Sequence, residues 1–366
     1  MKKRIYYKCK RFQKLHFEFW KGTSREVTGL VKLKDIAEAC GVSAATVSRA
    51  LNGLTDPEKK NTAYILQKAK EMGYYPNAAA RTLKTSRSNN IGILYEDRMD
   101  HEYFSFLINE LRREAENQDY DITFIRRSAH NGEEGNYIER ARRRNLDGVV
   151  VVQADFNSAD VMRLAAGDLP TVVIDHVYEG CDCVMCDNRD SMEQIVGMAW
   201  KLGHQRIALI HGEDGTVTRE RLTGFYKACA ELGVRVPANS VREGHFHDPQ
   251  SCAEAVEALL QEPDVPTCIL CPDDFSCLGA LGALEKRGIK VPADMSLVGY
   301  DGIRMSQMLH PRLTTFRQDA GKTAHETVGL LLDAIENPEG HQPRQVTVTG
   351  ELIPGETLGP APEIPV

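Results

Sequence analysis

No stretch of this chain stays apolar for the roughly 18 residues that a membrane-crossing helix needs. Its basic N-terminus also lacks the continuous apolar core of a secretory signal, so a cytoplasmic protein with no membrane partner is expected. A Ser-His-Asp order, a paired-acid constellation, a Walker sequence and a zinc-protease motif are all missing, and nothing in the sequence points to an enzyme or to a cofactor. There is no convincing internal repeat. The C-terminus carries no heptad run, which favours a dimer over dimers joined by a coiled coil.

What the chain does have is enough length, 366 residues at 42% hydrophobic content, for two or three folding units. Its ten cysteines read as reduced, buried small hydrophobes. The Cys181, Cys183 and Cys186 cluster has a metal-like spacing. However, CVMC reads as a strand, in which neighbours face opposite ways, so no metal site is expected there. Charge is unevenly placed. Residues 1–31 carry +7 and residues 32–88 carry +5, which leaves −19 for the rest of a chain whose total is −7. A basic head on an acidic body implies a polyanionic partner for the head.

Within residues 32–75 the pattern predicts three short helices. Leu33, Ile36, Ala37 and Cys40 share one helical face, Gly41 ends that helix, and Ser43 caps the next, from which Val47 and Leu51 point inward. A third helix from about Asn61 has Ile65, Leu66, Ala69 and Met72 as its stripe. Two helices joined by a tight turn form a helix-turn-helix, whose second helix enters the DNA major groove. Its outward residues suit that task. Ala44 and Ala45 permit close approach and can touch thymine methyls, Arg49 can donate two hydrogen bonds to a guanine, and Ser43, Thr46 and Ser48 can bond phosphates or bases. Downstream, Pro76 can open a helix of only two turns, Asn77 to Leu83, too short to be stable alone. Leu83, between Arg81 and Lys84, has the make-up of a minor-groove wedge, although an ordinary linker would read the same way. From Ile91 onward apolar runs (IGIL, DITFI, GVVVV, TVVID, RIALI, TCILC, SLVGYD) alternate with amphipathic helices, the pattern of βαβ units in two parallel sheets, hence two lobes and a cleft.

The order KLKDIAEACGVSAATVSRALNG, GYYPNAAARTLKT, IGIL, LGHQRIALIHG, RERLTGF, PDDFSCLGA, SLVGYDG and LTTFRQD resembles the lactose-repressor/galactose-repressor family of bacterial transcription regulators, over residues 32–355. The resemblance implies an all-α helix-turn-helix head on an α/β, two-lobed, periplasmic-binding-protein-like core of two doubly wound parallel sheets. It implies these segments: a basic extension (1–31), a DNA-binding domain (32–76), a hinge helix and linker (77–90), a core (91–355) and a tail (356–366). The lobes are expected at 91–190 with 318–340 and at 191–317 with 341–355. Members of the family usually begin near the position of Lys32, and Val31 lies where an alternative start would fall, so residues 1–31 are either a DNA-binding arm or upstream sequence.

By matching motif, Ser43, Ala44, Ala45, Thr46, Ser48 and Arg49 would contact the major groove, and Asn77, Ala80, Arg81, Leu83 and Lys84 the minor groove. Arg221 would grip effector hydroxyls or a carboxylate, with Asp301 as its acidic partner and Asp175, Asp273 and Gln318 at further cleft positions. Phe246 falls where an aromatic packs on the effector. Asp273 stands where many relatives have asparagine, which changes the donors on offer; for each of these aspartates, Asp273 and Asp301 included, the alternative is a cap on the helix that follows its strand. The expected function is a homodimeric regulator, more in the manner of a repressor, whose affinity for double-stranded operator DNA is set by a small effector, a sugar or related metabolite. The alternatives are a carbon-catabolite-type regulator with a phosphorylated carrier protein as co-effector, and a sugar-binding protein without a regulatory role.

Overall fold

The computed structural model describes residues 31–51, 55, 60–74, 87–96, 100–126 and 136–363. The chain divides into two compact units, Met1–Ser86 and Arg87–Val366.

The first unit contains α1 (Leu33–Cys40), α2 (Ala44–Leu51) and α3 (Lys60–Glu71). Lys32 has no acceptor to offer at the start of α1, so the carboxylate of Asp35 holds the turn instead, accepting the Lys32 N–H at 2.7 Å. Gly41 takes the left-handed conformation (φ 64°) that lets the chain turn between α1 and α2. The Ser43 hydroxyl then accepts the Thr46 N–H at 3.2 Å and caps α2. Ile36, Val47 and Ile65, one from each helix, are at most 2% exposed and form the small core with Ala37, Ala50 and Ala69. Leu66 departs from the expected stripe and is 37% exposed. One position along a helix is a rotation of about 100°, which carries Leu66 away from the face shared by Ile65 and Ala69.

In chain order the second unit comprises β1 (Asn90–Tyr95), α4 (Glu102–Asn117), β2 (Asp121–Ile125), α5 (Tyr137–Arg143), β3 (Gly148–Gln153), α6 (Ala159–Ala165), β4 (Thr171–Ile174) and β5 (Asp182–Cys186). It continues through α7 (Asn188–Lys201), β6 (Ile207–His211), α8 (Thr216–Leu232), β7 (Val241–Glu243), α9 (Pro249–Leu259), β8 (Cys268–Leu270), α10 (Asp274–Lys286) and β9 (Ser296–Asp301). It ends with β10 (Thr314–Arg317), α11 (Ala320–Glu336), β11 (Gln345–Val348) and β12 (Glu351–Ile353).

Among the described residues these strands form two six-stranded sheets, β11-β5-β4-β3-β1-β2 and β12-β10-β9-β8-β6-β7. Every pairing is parallel except that of β10 with β12. Each sheet is covered by helices on both faces, which is why inner strands such as β3, β4 and β8 are buried nearly throughout rather than alternating, while the edge strands β2 and β7 are partly exposed. In the first lobe, α4 and α11 pack on one face around Leu107, Leu111 and Leu331, and α5 and α6 on the other around Ala141, Val161 and Leu164. In the second lobe, α7 and α8 cover one face through Ile195 and Phe225, and α9 and α10 the other through Val256 and Leu284.

The expected lobe boundaries need one correction. Residues 341–355 do not all belong to the second lobe, because β11 pairs with β5 and completes the first sheet. Only β12 joins the second. The cause is local: Asp182, at the start of β5, accepts the Arg344 N–H at 2.9 Å and bonds His341 at 2.6 Å, which docks the incoming strand. The chain therefore passes between the lobes at three short links, β5 to α7, β10 to α11 and β11 to β12. No described helix is long and apolar enough to cross a membrane.

Candidate ligand cleft and DNA-reading surface

A cavity of about 500 Å³ lies between the two lobes, where loops following the C-terminal ends of the parallel strands converge. Arg221, on α8, is 8% exposed and fixed from three sides. Its Nε donates to Asn188 Oδ1 at 2.9 Å, its Nη1 donates to the Pro272 carbonyl at 2.8 Å, and its guanidinium lies 3.4 Å from the centre of the Tyr300 ring. A cation so held is pre-organised for a ligand carboxylate or hydroxyl.

Two acidic groups meet it at strand ends. Asp175 follows β4, and burial pushes its carboxyl up to about 6 against the pull of Arg221. Asp301 ends β9; burial and the nearby Asp273 push it up to about 7, opposed by Arg221, His247 and a hydrogen bond from Gln318. Gln318 Nε2 donates to Asp301 Oδ1 at 2.7 Å. Both aspartates have left-handed backbone, φ 61° for Asp175 and 99° for Asp301. A side-chain-bearing residue is held in that strained region only by its surroundings, and such positions cluster at functional sites. Phe246 also lines the cavity, lying flat on Gly212 with its N–H given to Glu213 Oε2 at 3.1 Å.

Asp175, Arg221, Phe246, Asp301 and Gln318 thus line one cavity, and Asp273 does not. Asp273 is 1% exposed and its oxygens are already engaged. Oδ1 accepts the Ser276 N–H at 2.8 Å as the cap of α10, while Oδ2 accepts the Ser276 hydroxyl at 2.7 Å and the His247 N–H at 2.9 Å. Direct effector contact by Asp273 is therefore corrected to a positioning role: it anchors the loop carrying Phe246 and His247.

The sequence reading missed several lining residues. Tyr103 and Phe104 enter from the start of α4, while Phe156 stacks on His176 with centroids 4.6 Å apart and planes within 3°. His101 caps α4 by accepting the Phe104 N–H at 3.2 Å, and it reaches across the cleft to His247, with Nε2 and Nδ1 2.5 Å apart. Thr216, at the start of α8, bonds His176 from the opposite lobe at 3.0 Å. The signal available was position: each of these residues lies close to the C-terminal end of a strand or the start of a helix facing the cleft. Cys181 gives its S–H to the Thr171 carbonyl at 3.4 Å, Cys186 faces Tyr300 Oη at 3.6 Å, and burial pushes the thiols of Cys181, Cys183 and Cys186 up to about 12.

On the head, α2 turns Val47 and Ala50 inward. Ser43, Ala45 and Arg49 are exposed, and Ala44, Thr46 and Ser48 half-buried. Ala45 and Arg49, four apart, share a helix face. The Ser43 and Thr46 hydroxyls lie 2.9 Å apart, so each already has a partner at the cap. Asn77, Ala80, Arg81, Leu83 and Lys84 lie outside the described residues.

Comparison with known proteins agrees with this division of labour. Residues 32–77 match the model for bacterial regulatory proteins of the lacI family, and residues 196–358 match a periplasmic binding protein-like domain. The chain is 30% identical over 329 residues to the HTH-type transcriptional repressor PurR of Haemophilus influenzae (strain PittEE), covering 88% of this chain and 97% of that one. Its fold is similar to that of the lac repressor dimer bound to operator and the anti-inducer ONPF (TM-score 0.76, 24% identity, 90% and 100% of the two chains). It is also similar to the complex of the transcriptional regulator CelR with cellobiose (TM-score 0.64, 23% identity, 89% and 99%). A three-helix head that matches the lacI-family model, a core with a ligand-sized cleft and a relative matched over nearly its whole length lead to one conclusion: the chain belongs to the lacI family of bacterial regulatory proteins and is a DNA-binding transcription regulator with an effector-binding core.

Proposed function

We propose that this protein is a cytoplasmic, non-enzymatic, homodimeric repressor whose hold on a pseudo-palindromic operator is set by a small neutral or cationic ligand closed between the lobes. The observation that carries the reading is the buried Arg221 facing Asp175 and Asp301 across a cavity of about 500 Å³. A fixed planar donor opposed by carboxylates suits a ligand rich in hydroxyls, each a donor and an acceptor, and disfavours a phosphorylated one. In this reading Gln318 orients Asp301, Phe246 packs on the ligand, and Asp273 holds the loop that carries Phe246.

The three links between the lobes act as a hinge. Ligand closure changes how the first lobes of two copies sit, and so whether two marginal hinge helices can form side by side on DNA. Ser43, Ala44, Ala45, Thr46, Ser48 and Arg49 read the major groove, while Asn77, Ala80, Arg81, Leu83 and Lys84 serve the minor groove, a role that rests on composition and resemblance. Pairing of two copies is supported by large apolar side chains left exposed on both lobes, Phe106 (54%), Phe275 (43%) and Met308 (73%).

The aromatic lining supports a second effector class. Tyr103, Phe104, Phe156 and Phe246 all border the cavity, and a planar nitrogen heterocycle would stack on such rings while its polar edge met the carboxylates. A thermal-shift screen of sugars against nucleobases separates the two classes, because a ligand of the folded state raises the melting temperature. Retention of the protein's own promoter fragment in a gel, with and without the hit, tests the whole reading. Absence of salt-sensitive, sequence-selective retention would leave only a sugar-binding protein. Retention that needs a phosphorylated carrier protein would favour the catabolite-type regulator.

A further inference from the structure

His101 comes from the first lobe, at the start of α4, whereas His247 and Asp301 come from the second, after β7 and at the end of β9. One ligand-type atom from each lies within 4.8 Å of the other two. Two of the three residues are also held in place by a neighbour: Asp273 accepts the His247 backbone N–H at 2.9 Å, and Gln318 donates to one oxygen of Asp301 at 2.7 Å. His247 (φ 58°) and Asp301 (φ 99°) both occupy left-handed backbone that neither side chain favours. Nitrogen and oxygen donors that converge from opposite lobes on strained backbone are the kind of set that a metal ion can bridge.

We propose that His101, His247 and Asp301 form a divalent-metal site that bridges the two lobes at the cleft, selective for zinc or a metal of similar ligand preference over magnesium and calcium. Two imidazoles and one carboxylate suit zinc, cobalt or nickel, whereas magnesium and calcium want oxygen donors alone. Three protein ligands leave a coordination position for water or for a ligand hydroxyl. Donors bound tetrahedrally to one ion at about 2.0 to 2.1 Å sit roughly 3.3 Å apart, so the His101 and His247 nitrogens, now 2.5 Å apart, must separate by nearly 1 Å on binding. His101 accepts the Phe104 N–H through Nδ1, which places its ring proton on Nε2. Metal at Nε2 moves that proton to Nδ1 with no net release, and the Phe104 contact is given up. The ion ties α4 of one lobe to β9 of the other and so favours the closed cleft. This inference stands apart from the identity of the organic effector.

The test is titration of the full chain, stripped of metal with a chelator, with zinc chloride and separately with magnesium chloride by calorimetry, in the absence of DNA and effector. The expected result is one zinc per chain with micromolar or tighter affinity and no heat from magnesium. His101→Asn keeps a helix-capping acceptor, and His247→Asn tolerates left-handed backbone, so both variants retain the local fold. Each should weaken zinc binding at least about tenfold, while Cys183→Ser leaves it unchanged. No saturable zinc binding, or zinc affinity unchanged in both histidine variants, would overturn the site. Because the readout involves no DNA, promoter retention measured alongside distinguishes failure of the metal site from failure of the regulator reading.

Discussion

Adding one methyl group at two positions of α10 should move stability in opposite directions. Gly282 faces open space, with nothing within 4 Å of where a Cβ would sit, so Gly282→Ala only removes the backbone entropy cost of a helical glycine. That gain is about 0.5 to 1 kcal/mol, a rise in melting temperature of about 1 to 3 °C. Gly279, three residues earlier, has the same propensity to gain. Its Cβ, however, would lie 1.7 Å from the carbonyl oxygen, 2.5 Å from the carbonyl carbon and 2.8 Å from the Cα of Pro249. These are backbone atoms of the first residue of α9, and no rotamer change moves them. The two helices must separate by more than an ångström, loosening the contacts of Cys252, Val256, Ala280 and Leu284 between them. Overpacking of this kind costs about 1 to 3 kcal/mol or more, which exceeds the propensity gain. The expected net effect is a fall of roughly 2 to 6 °C. The displacement also reaches the cleft, because Asp273 caps α10 and holds the His247 loop, so the ligand-induced thermal shift should shrink in the same variant. Denaturant midpoints with slopes provide the measurement, and a Gly279→Ala protein at or above wild-type stability would refute the close helix crossing.

Three further outcomes are expected. His341 bonds Asp182 at 2.6 Å and Asp333 at 3.1 Å; burial opposes its charge, but the two carboxylates win and raise its pKa. The clasp is therefore complete below about pH 6.5 and is lost as pH rises through the raised folded value, so stability should decline toward alkaline pH. His341→Gln should flatten that slope, and an unchanged slope in melts across pH would remove His341 as its source. Gly212→Ala would place a methyl 2.1 Å from Phe246 Cε2 and push the ring into the cavity. Affinity for a hit from the ligand screen should drop at least about tenfold, near 1.4 kcal/mol, while promoter retention without ligand is kept; equal affinity would mean that Phe246 is not a wall of the site. Arg49→Ala should cost about 1 to 3 kcal/mol at one base position in a binding-site mutation series, whereas uniform loss on every sequence would reassign Arg49 to a phosphate.

Features set by local chemistry were the ones legible in the sequence. The spacing of Leu33, Ile36, Ala37 and Cys40, the glycine at 41 and the hydroxyl of Ser43 specify the head without reference to distant residues. The apolar runs announced two parallel sheets. They did not reveal which sheet the last strands join, because QVTV and ELI read alike. Gly350, against the Arg317 carbonyl, sits in the link where the chain changes lobe. Leu66 was misplaced for want of the third helix's exact phase. At the cleft, Asp175, Arg221, Phe246, Asp301 and Gln318 could be named only through the family resemblance, and the choice between ligand and cap for Asp273 depended on Ser276 and His247 together. The His101–His247 contact spans 146 positions and exists only because two lobes close on each other, so no local pattern carries it.

The assignment of β11 to the first sheet has a consequence for biosynthesis. A ribosome delivers residues in order, so the first lobe emerges early with the outer edge of β5 bare, and it stays bare until the stretch from Gln345 has left the exit tunnel. An open edge strand is a template for sticking to other nascent chains. Premature termination anywhere between α11 and β11 should therefore yield insoluble product rather than a shortened but usable receptor, and expression trials of stop-codon series would show the threshold at that strand.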